Sequence, residues 1–213
     1  MVINKNKTKA MLFNPCKSKD FMPDVRIGSQ LIEVTEEIRL LGVTVSSDLK
    51  WSSNTENLVK KASKRLWLIR RLKNMGASQW DLVDMYTKQI RSVLELAVPA
   101  WQGALTLEEK LDIERIQKSA AHIIMGQKYH SYDFALKYLN LESLESRRVK
   151  LCLNFAQKAL KHDKFQSWFK LSDRKQCTRK DKPKFCEVYA KHSRLYKSPI
   201  AFLTRLLNEH SKQ

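Results

Sequence analysis

The hydrophobic period of this chain changes once, near residue 52, and that change limits what the chain can fold into. Before it, apolar residues alternate or run in short β-branched stretches; from Asn54 onward they recur every three to four positions. Period 2 places alternate side chains on one face of a strand, whereas period 3.6 draws a stripe along a helix. The expected fold is therefore α+β in series: a small antiparallel β region, then a mainly α-helical bundle, then a basic carboxy-terminal segment. Domain boundaries are expected at 1–52, 53–161 and 162–213.

In the first part, strands are expected at residues 10–13, 25–27, 31–34 and 38–45, separated by Asn14-Pro15, Gly28-Ser29 and Ser46-Ser47-Asp48. Gly28-Ser29-Gln30 reads as a three-residue hairpin loop. In the second part, Ser53 or Asn54 can cap the first helix, and Gly76 follows its last apolar turn. Ser78 with Asp81 forms a capping-box pair for a second helix, which carries Leu82, Tyr86, Ile90, Val93 and Ala97 on one face and has Pro99 as its stop. Thr106 with Glu109 opens a third helix over residues 107–125, ended by Gly126. Residues 131–139 and 143–161 give two more, the latter carrying Leu144, Leu151, Phe155 and Ala159 inward. Residues 199–208 form a short terminal helix.

Charge is concentrated on the first helix. Its apolar stripe is Leu58, Ala62, Leu66, Ile69 and Leu72, and the remaining surface holds Lys60, Lys61, Lys64, Arg65, Arg70, Arg71 and Lys73 against the single acid Glu56. A one-sided cationic surface attracts phosphate whatever the base sequence, because each neutralised phosphate releases condensed counterions. A solvated helix face accounts for the same pattern. The chain as a whole carries +18, which favours polyanionic partners. A second basic stretch, Arg174, Lys175, Arg179 and Lys180, suits loose RNA binding. The five tryptophans, Trp51, Trp67, Trp80, Trp101 and Trp168, mostly stand beside apolar positions, and core packing is expected of them before base stacking.

Several classes of protein are disfavoured. The longest apolar runs fall well short of a bilayer span, the amino-terminus lacks the h-region of a signal peptide, and an intracellular location with no membrane partner is expected. The four cysteines, Cys16, Cys152, Cys177 and Cys186, form no CxxC pair and are expected as free thiols. Cys177, Cys186 and His192 lack zinc-knuckle spacing, so no metal and no cofactor are expected. The chain contains no His-x-Asp or His-x-Glu, which argues against an Fe(II) oxygenase.

Five stretches in order carry a more specific signal: NKNKTKAMLF, EEIRLLGVTVSSDLKW, the basic helix, YTKQIRSVLELAVPAW and IERIQKSAAHIIMG. Together they resemble the carboxy-terminal third of reverse transcriptases from non-LTR (LINE-type) retrotransposons, over nearly the whole chain. The resemblance implies that Asn4, Lys7 and Thr8 match the segment leading to a palm strand, and that Lys7 corresponds to a lysine assisting pyrophosphate departure in an intact polymerase. It implies that Leu41, Gly42 and Val43 are the primer-grip hairpin. Tyr86, Arg91, Ser92, Leu94 and Trp101, with Ile116, Gln117 and Lys118, would belong to a helical thumb. Lys60, Lys61, Lys64 and Arg65 would lie along the duplex backbone, and residues 198–208 resemble the end of such a reading frame.

The departures decide the chemistry. Nucleotidyl transfer needs converging carboxylates that hold two Mg²⁺ ions, and this chain has no Asp-Asp pair. The fingers, the catalytic palm strands and the endonuclease of such an element would lie upstream. The expected function is template-primer binding to RNA, DNA or RNA–DNA hybrid without catalysis, beside upstream polymerase and endonuclease domains in an intact element. The alternative is a remnant helical module that binds protein.

Overall fold

The computed structural model describes residues 4, 8–13, 24–172, 184–187, 189 and 193–211. The fold is α+β: 62% of it is helical, with two small antiparallel two-stranded sheets ahead of the helices. The chain divides into two compact units, Met1–Leu58 and Val59–Gln213.

In the first unit, β1 (Arg26–Ile27) and β2 (Gln30–Leu31) pair with Ile27 opposite Gln30. The loop is thus Gly28-Ser29 alone, one residue shorter than expected, and Gln30 belongs to the strand. Residues 10–13 do not form a strand: Ala10 makes one parallel bridge to Val34. The expected strand 38–45 is a hairpin, β3 (Glu37–Leu40) and β4 (Val43–Ser46), turning at Leu41-Gly42.

Helix α1 (Ser52–Asn74) starts ahead of both expected caps. Asn54 is buried in its first turn, where its Oδ1 accepts a 3.1 Å bond from the Thr44 amide, and Ser53 Oγ donates to Glu37. Both side chains tie the helix start to the β3–β4 hairpin and are not available as caps. The far end of α1 follows expectation, with Gly76 at φ +83° and bonds from Gly76 N to Lys73 O and from Ala77 N to Leu72 O.

In the second unit, α2 (Gln79–Met85) begins at the Ser78–Asp81 capping box. It continues through a π turn (Tyr86–Arg91) into α3 (Ser92–Leu94). The wide turn shifts the phase of the stripe, so Leu94 is buried beside Val93, and Ala97 lies exposed with φ +51° outside the helix. Pro99 opens rather than stops a helix: it lies in the first turn of α4 (Val98–Trp101), where its missing N–H costs nothing. Helix α5 (Leu107–Met125) has the expected limits and capping box.

Helices α6 (Tyr132–Tyr138), α7 (Leu144–Leu160), α8 (Ser193–Tyr196) and α9 (Pro199–His210) follow. The buried face of α7 is Leu144, Arg148, Cys152, Ala156 and Ala159; Leu151 is half-buried and Phe155 exposed. Small side chains at Cys152 and Ala156 suit the close packing of α7 and α9. Gly103 serves the same end, since a Cβ there would lie 2.6 Å from Phe202 Cβ on α9. Within the expected carboxy-terminal segment, Phe169 and Phe185 are buried ring against ring, and Asn208 of α9 brackets the Phe185 backbone with bonds of 2.9 and 3.1 Å.

Candidate nucleic-acid interface

Of the cations expected on the surface of α1, the structure divides surface from interior. Arg65 is half-buried and its guanidinium donates to the Gln89 carbonyl in the π turn. Lys73 Nζ donates to the Ile123 carbonyl at 2.5 Å, in the last turn of α5, where a cation also meets the negative end of the helix dipole. Arg65 is thus a helix–helix tie, a correction to its reading as a free backbone contact. Lys60, Lys61, Lys64, Arg70 and Arg71 are exposed.

Helical geometry arranges them. Positions 60, 64, 67 and 71 are spaced by four, three and four residues, so they form one line along the outward side of α1, about 16 Å long. Lys61 and Arg70 flank it. The third member of the line is Trp67, which is 61% exposed. Of the tryptophans read as core residues, only Trp101 is fully buried, its Nε1 donating to the Leu96 carbonyl at 2.8 Å; Trp80 is 79% exposed. The apolar neighbours Leu66, Leu68 and Ile69 made Trp67 look internal, but its position relative to Lys60 and Arg71 places it with the charges.

At the β3–β4 turn, Leu41 and Gly42 both have positive φ, +50° and +91°. That conformation matches the twist of a two-residue hairpin, and Asn-Gly or Gly-Gly ordinarily occupies it. Leu41 is costly here twice over, in backbone strain and in being 92% exposed. Val43 begins the return strand opposite Leu40.

The thumb-like residues matched from sequence are mostly interior. Tyr86 donates to Gln117 Oε1 at 2.5 Å, and Gln117 Nε2 donates to Tyr132 Oη at 2.9 Å and to the Glu142 carbonyl at 2.8 Å. Tyr132 donates to Glu114, whose carboxylate accepts from the Leu144 and Glu145 amides at the start of α7. Burial pushes the Tyr86 and Tyr132 phenols far above their ordinary range. Arg147 forms a bidentate pair with Glu95 at 2.6 and 3.1 Å. Arg148 is fully buried, with its Nε on Gln102 at 2.9 Å and both terminal nitrogens without a partner, and desolvation lowers its basicity. Both guanidiniums are bonded to side chains of other elements, Arg147 to Glu95 and Arg148 to Gln102.

Lys7, Arg174, Lys175, Arg179 and Lys180 lie outside the described residues, as do Cys16, Cys177 and His192. Among the described residues no cluster of His, Cys, Asp or Glu could hold a metal ion, and no helix is long and apolar enough to cross a membrane. Comparison with protein-family models, curated proteins and solved structures found no match.

Proposed function

We propose that the chain binds nucleic-acid backbones without sequence choice, as the thumb and primer-grip part of a non-LTR retrotransposon reverse transcriptase whose catalytic carboxylates lie elsewhere. The observation that carries the reading is the line Lys60, Lys64, Trp67 and Arg71, an exposed row of cations with a large aromatic set among them. Cations meet phosphate, and the indole supplies apolar contact to sugars or to a terminal base. The strained, exposed Leu41 beside Gly42 supports a primer-grip role independently. Such a fragment holds a template-primer and does not extend it.

The test is equilibrium binding to mixed-sequence RNA, DNA and hybrid duplexes. Affinity is expected to be similar across base sequences, to fall steeply with salt, and to be lost on Lys64→Glu with Arg71→Glu. A flat salt response removes the reading. One feature favours the protein-binding alternative: Leu107 and Leu111, one turn apart on α5, are both exposed. A partner retained after nuclease treatment, with no nucleic-acid binding, would select it.

A further inference from the structure

On the outward side of α6, Phe134 and Tyr138 lie one turn apart with ring centroids 5.8 Å apart and planes 23° from parallel. His130, just ahead of the helix, adds a third ring at 5.4 Å from Phe134, edge-on. Ala135 of α6 and Leu139 just beyond it are buried in the core, and the ladder stands beside them at the surface. Phe134 is 42% and Tyr138 48% exposed. Two large rings left in water and stacked on each other form a flat apolar surface, which a folded chain gains nothing by displaying.

What surrounds the rings points to the occupant. The exposed side chains of α6 are Asp133, Phe134, Lys137 and Tyr138, and Lys128 precedes them. Two exposed lysines, Lys128 and Lys137, against one aspartate, Asp133, with planar rings beside them, suit a ligand that is anionic along its length and flat-faced at intervals. Unpaired bases on a phosphate chain have that chemistry, and every base presents a π-face. The ladder also lies next in sequence to the end of α5 that holds the basic helix: Lys73 reaches Ile123, and a Cβ on Gly126 would lie 2.7 Å from the Lys73 ammonium. His130 follows four residues later.

We propose that His130, Phe134 and Tyr138 are a stacking platform for the unpaired bases of a single-stranded nucleic acid. This rests on the nucleic-acid reading of α1 and names the form of ligand that the same unit takes beside a duplex. The rings carry bases, while Lys128 and Lys137 meet the adjoining phosphates.

The test uses the full chain, a short single-stranded oligothymidylate, a blunt mixed-sequence duplex and the same duplex with a single-stranded arm, followed by fluorescence anisotropy. Phe134→Ala with Tyr138→Ala is expected to weaken the single strand and the armed duplex about tenfold or more and to leave the blunt duplex unchanged. Phe134→Tyr with Tyr138→Phe, which keeps both rings, is expected to restore the arm's contribution. Photocrosslinking of a thiothymidine-bearing single strand to the unsubstituted chain should map to peptides containing Phe134 or Tyr138, a readout that needs no variant to fold.

Equal weakening of blunt and armed duplex, no weakening of either, or crosslinks confined to other peptides would overturn the proposal. A protein partner lost on the alanine substitutions, with single-strand binding intact, would overturn it in favour of a protein surface. Loss of duplex binding with ladder-dependent single-strand binding retained would refute the reading of α1 and leave the platform standing.

Discussion

The division of the α1 cations into surface and interior makes a quantitative prediction. A helix face about 16 Å long, laid along a strand with a phosphate every ~3.4 Å of duplex axis, faces about five phosphates. With Arg65 bound to the Gln89 carbonyl and Lys73 to the Ile123 carbonyl, about four of the remaining cations can meet them. The log–log dependence of affinity on salt should then have a slope of about −3.6. Between 50 and 200 mM salt, affinity should fall about 150-fold; in the Lys64→Ala, Arg71→Ala double variant the slope should be about −1.8 and the fall about twelvefold. Arg65→Ala should leave the slope unchanged while lowering stability, because it removes a tie between helices and not a phosphate contact. Trp67→Ala should weaken binding at every salt concentration with the slope intact, since an indole releases no counterions. The assay is a filter-binding titration of one duplex across salt concentrations, with thermal melts of each variant. A slope reduced as much by Arg65→Ala as by Arg71→Ala would refute the assignment.

Leu41→Asn should stabilise the β3–β4 hairpin by about 1 kcal/mol, because Asn tolerates positive φ far better than Leu, while weakening duplex binding; a variant that gains stability with binding unchanged removes Leu41 from the interface. Gln117→Leu leaves the Tyr86 hydroxyl and the Glu142 carbonyl without their partner and should cost about 2–4 kcal/mol in denaturant unfolding. Gly103→Ala drives a methyl group into Phe202 and should destabilise by about 1–3 kcal/mol. Desolvation raises the Cys152 thiol to about 12. The folded chain therefore keeps a proton that the unfolded chain gives up from about pH 9, so stability is retained below pH 9 and falls as pH rises towards 12. Removing Cys152 as Ala should lessen that alkaline loss by about 4 kcal/mol at most, read as the pH-dependent difference between the two proteins.

How far the sequence revealed the fold depended on where local chemistry determines the outcome. The limits of α5 were readable because Thr106, Glu109 and Gly126 act within a turn of the residues they cap. The start of α1 was not, because Asn54 answers to Thr44, ten residues back on a strand. The α7 stripe was read correctly at its ends, Leu144 and Ala159, and misplaced by one position between them, since Phe155 looked like a core residue and Arg148 did not. Close packing against α9 favours the small Cys152 and Ala156, and that demand comes from a helix some fifty residues later. For the candidate interface, the sequence supplied the charges but not their division. Only the fold shows that Arg65 and Lys73 reach carbonyls of other helices, and that Trp67 stands among the cations that remain.

The π turn at Tyr86–Arg91 has a consequence for the lengths of chain this fold tolerates. A π turn holds one residue more than an α turn, so deleting a single exposed residue there, such as Lys88 or Gln89, lets the segment relax into ordinary helix. The extra residue and the wide turn would disappear together, so the residues beyond would keep nearly their present phase, with Leu94 in the core and Glu95 facing Arg147. Length variation is normally absorbed in loops; here a one-residue deletion inside a helix should be better tolerated than the same deletion within α5, where everything beyond it would rotate by about 100°.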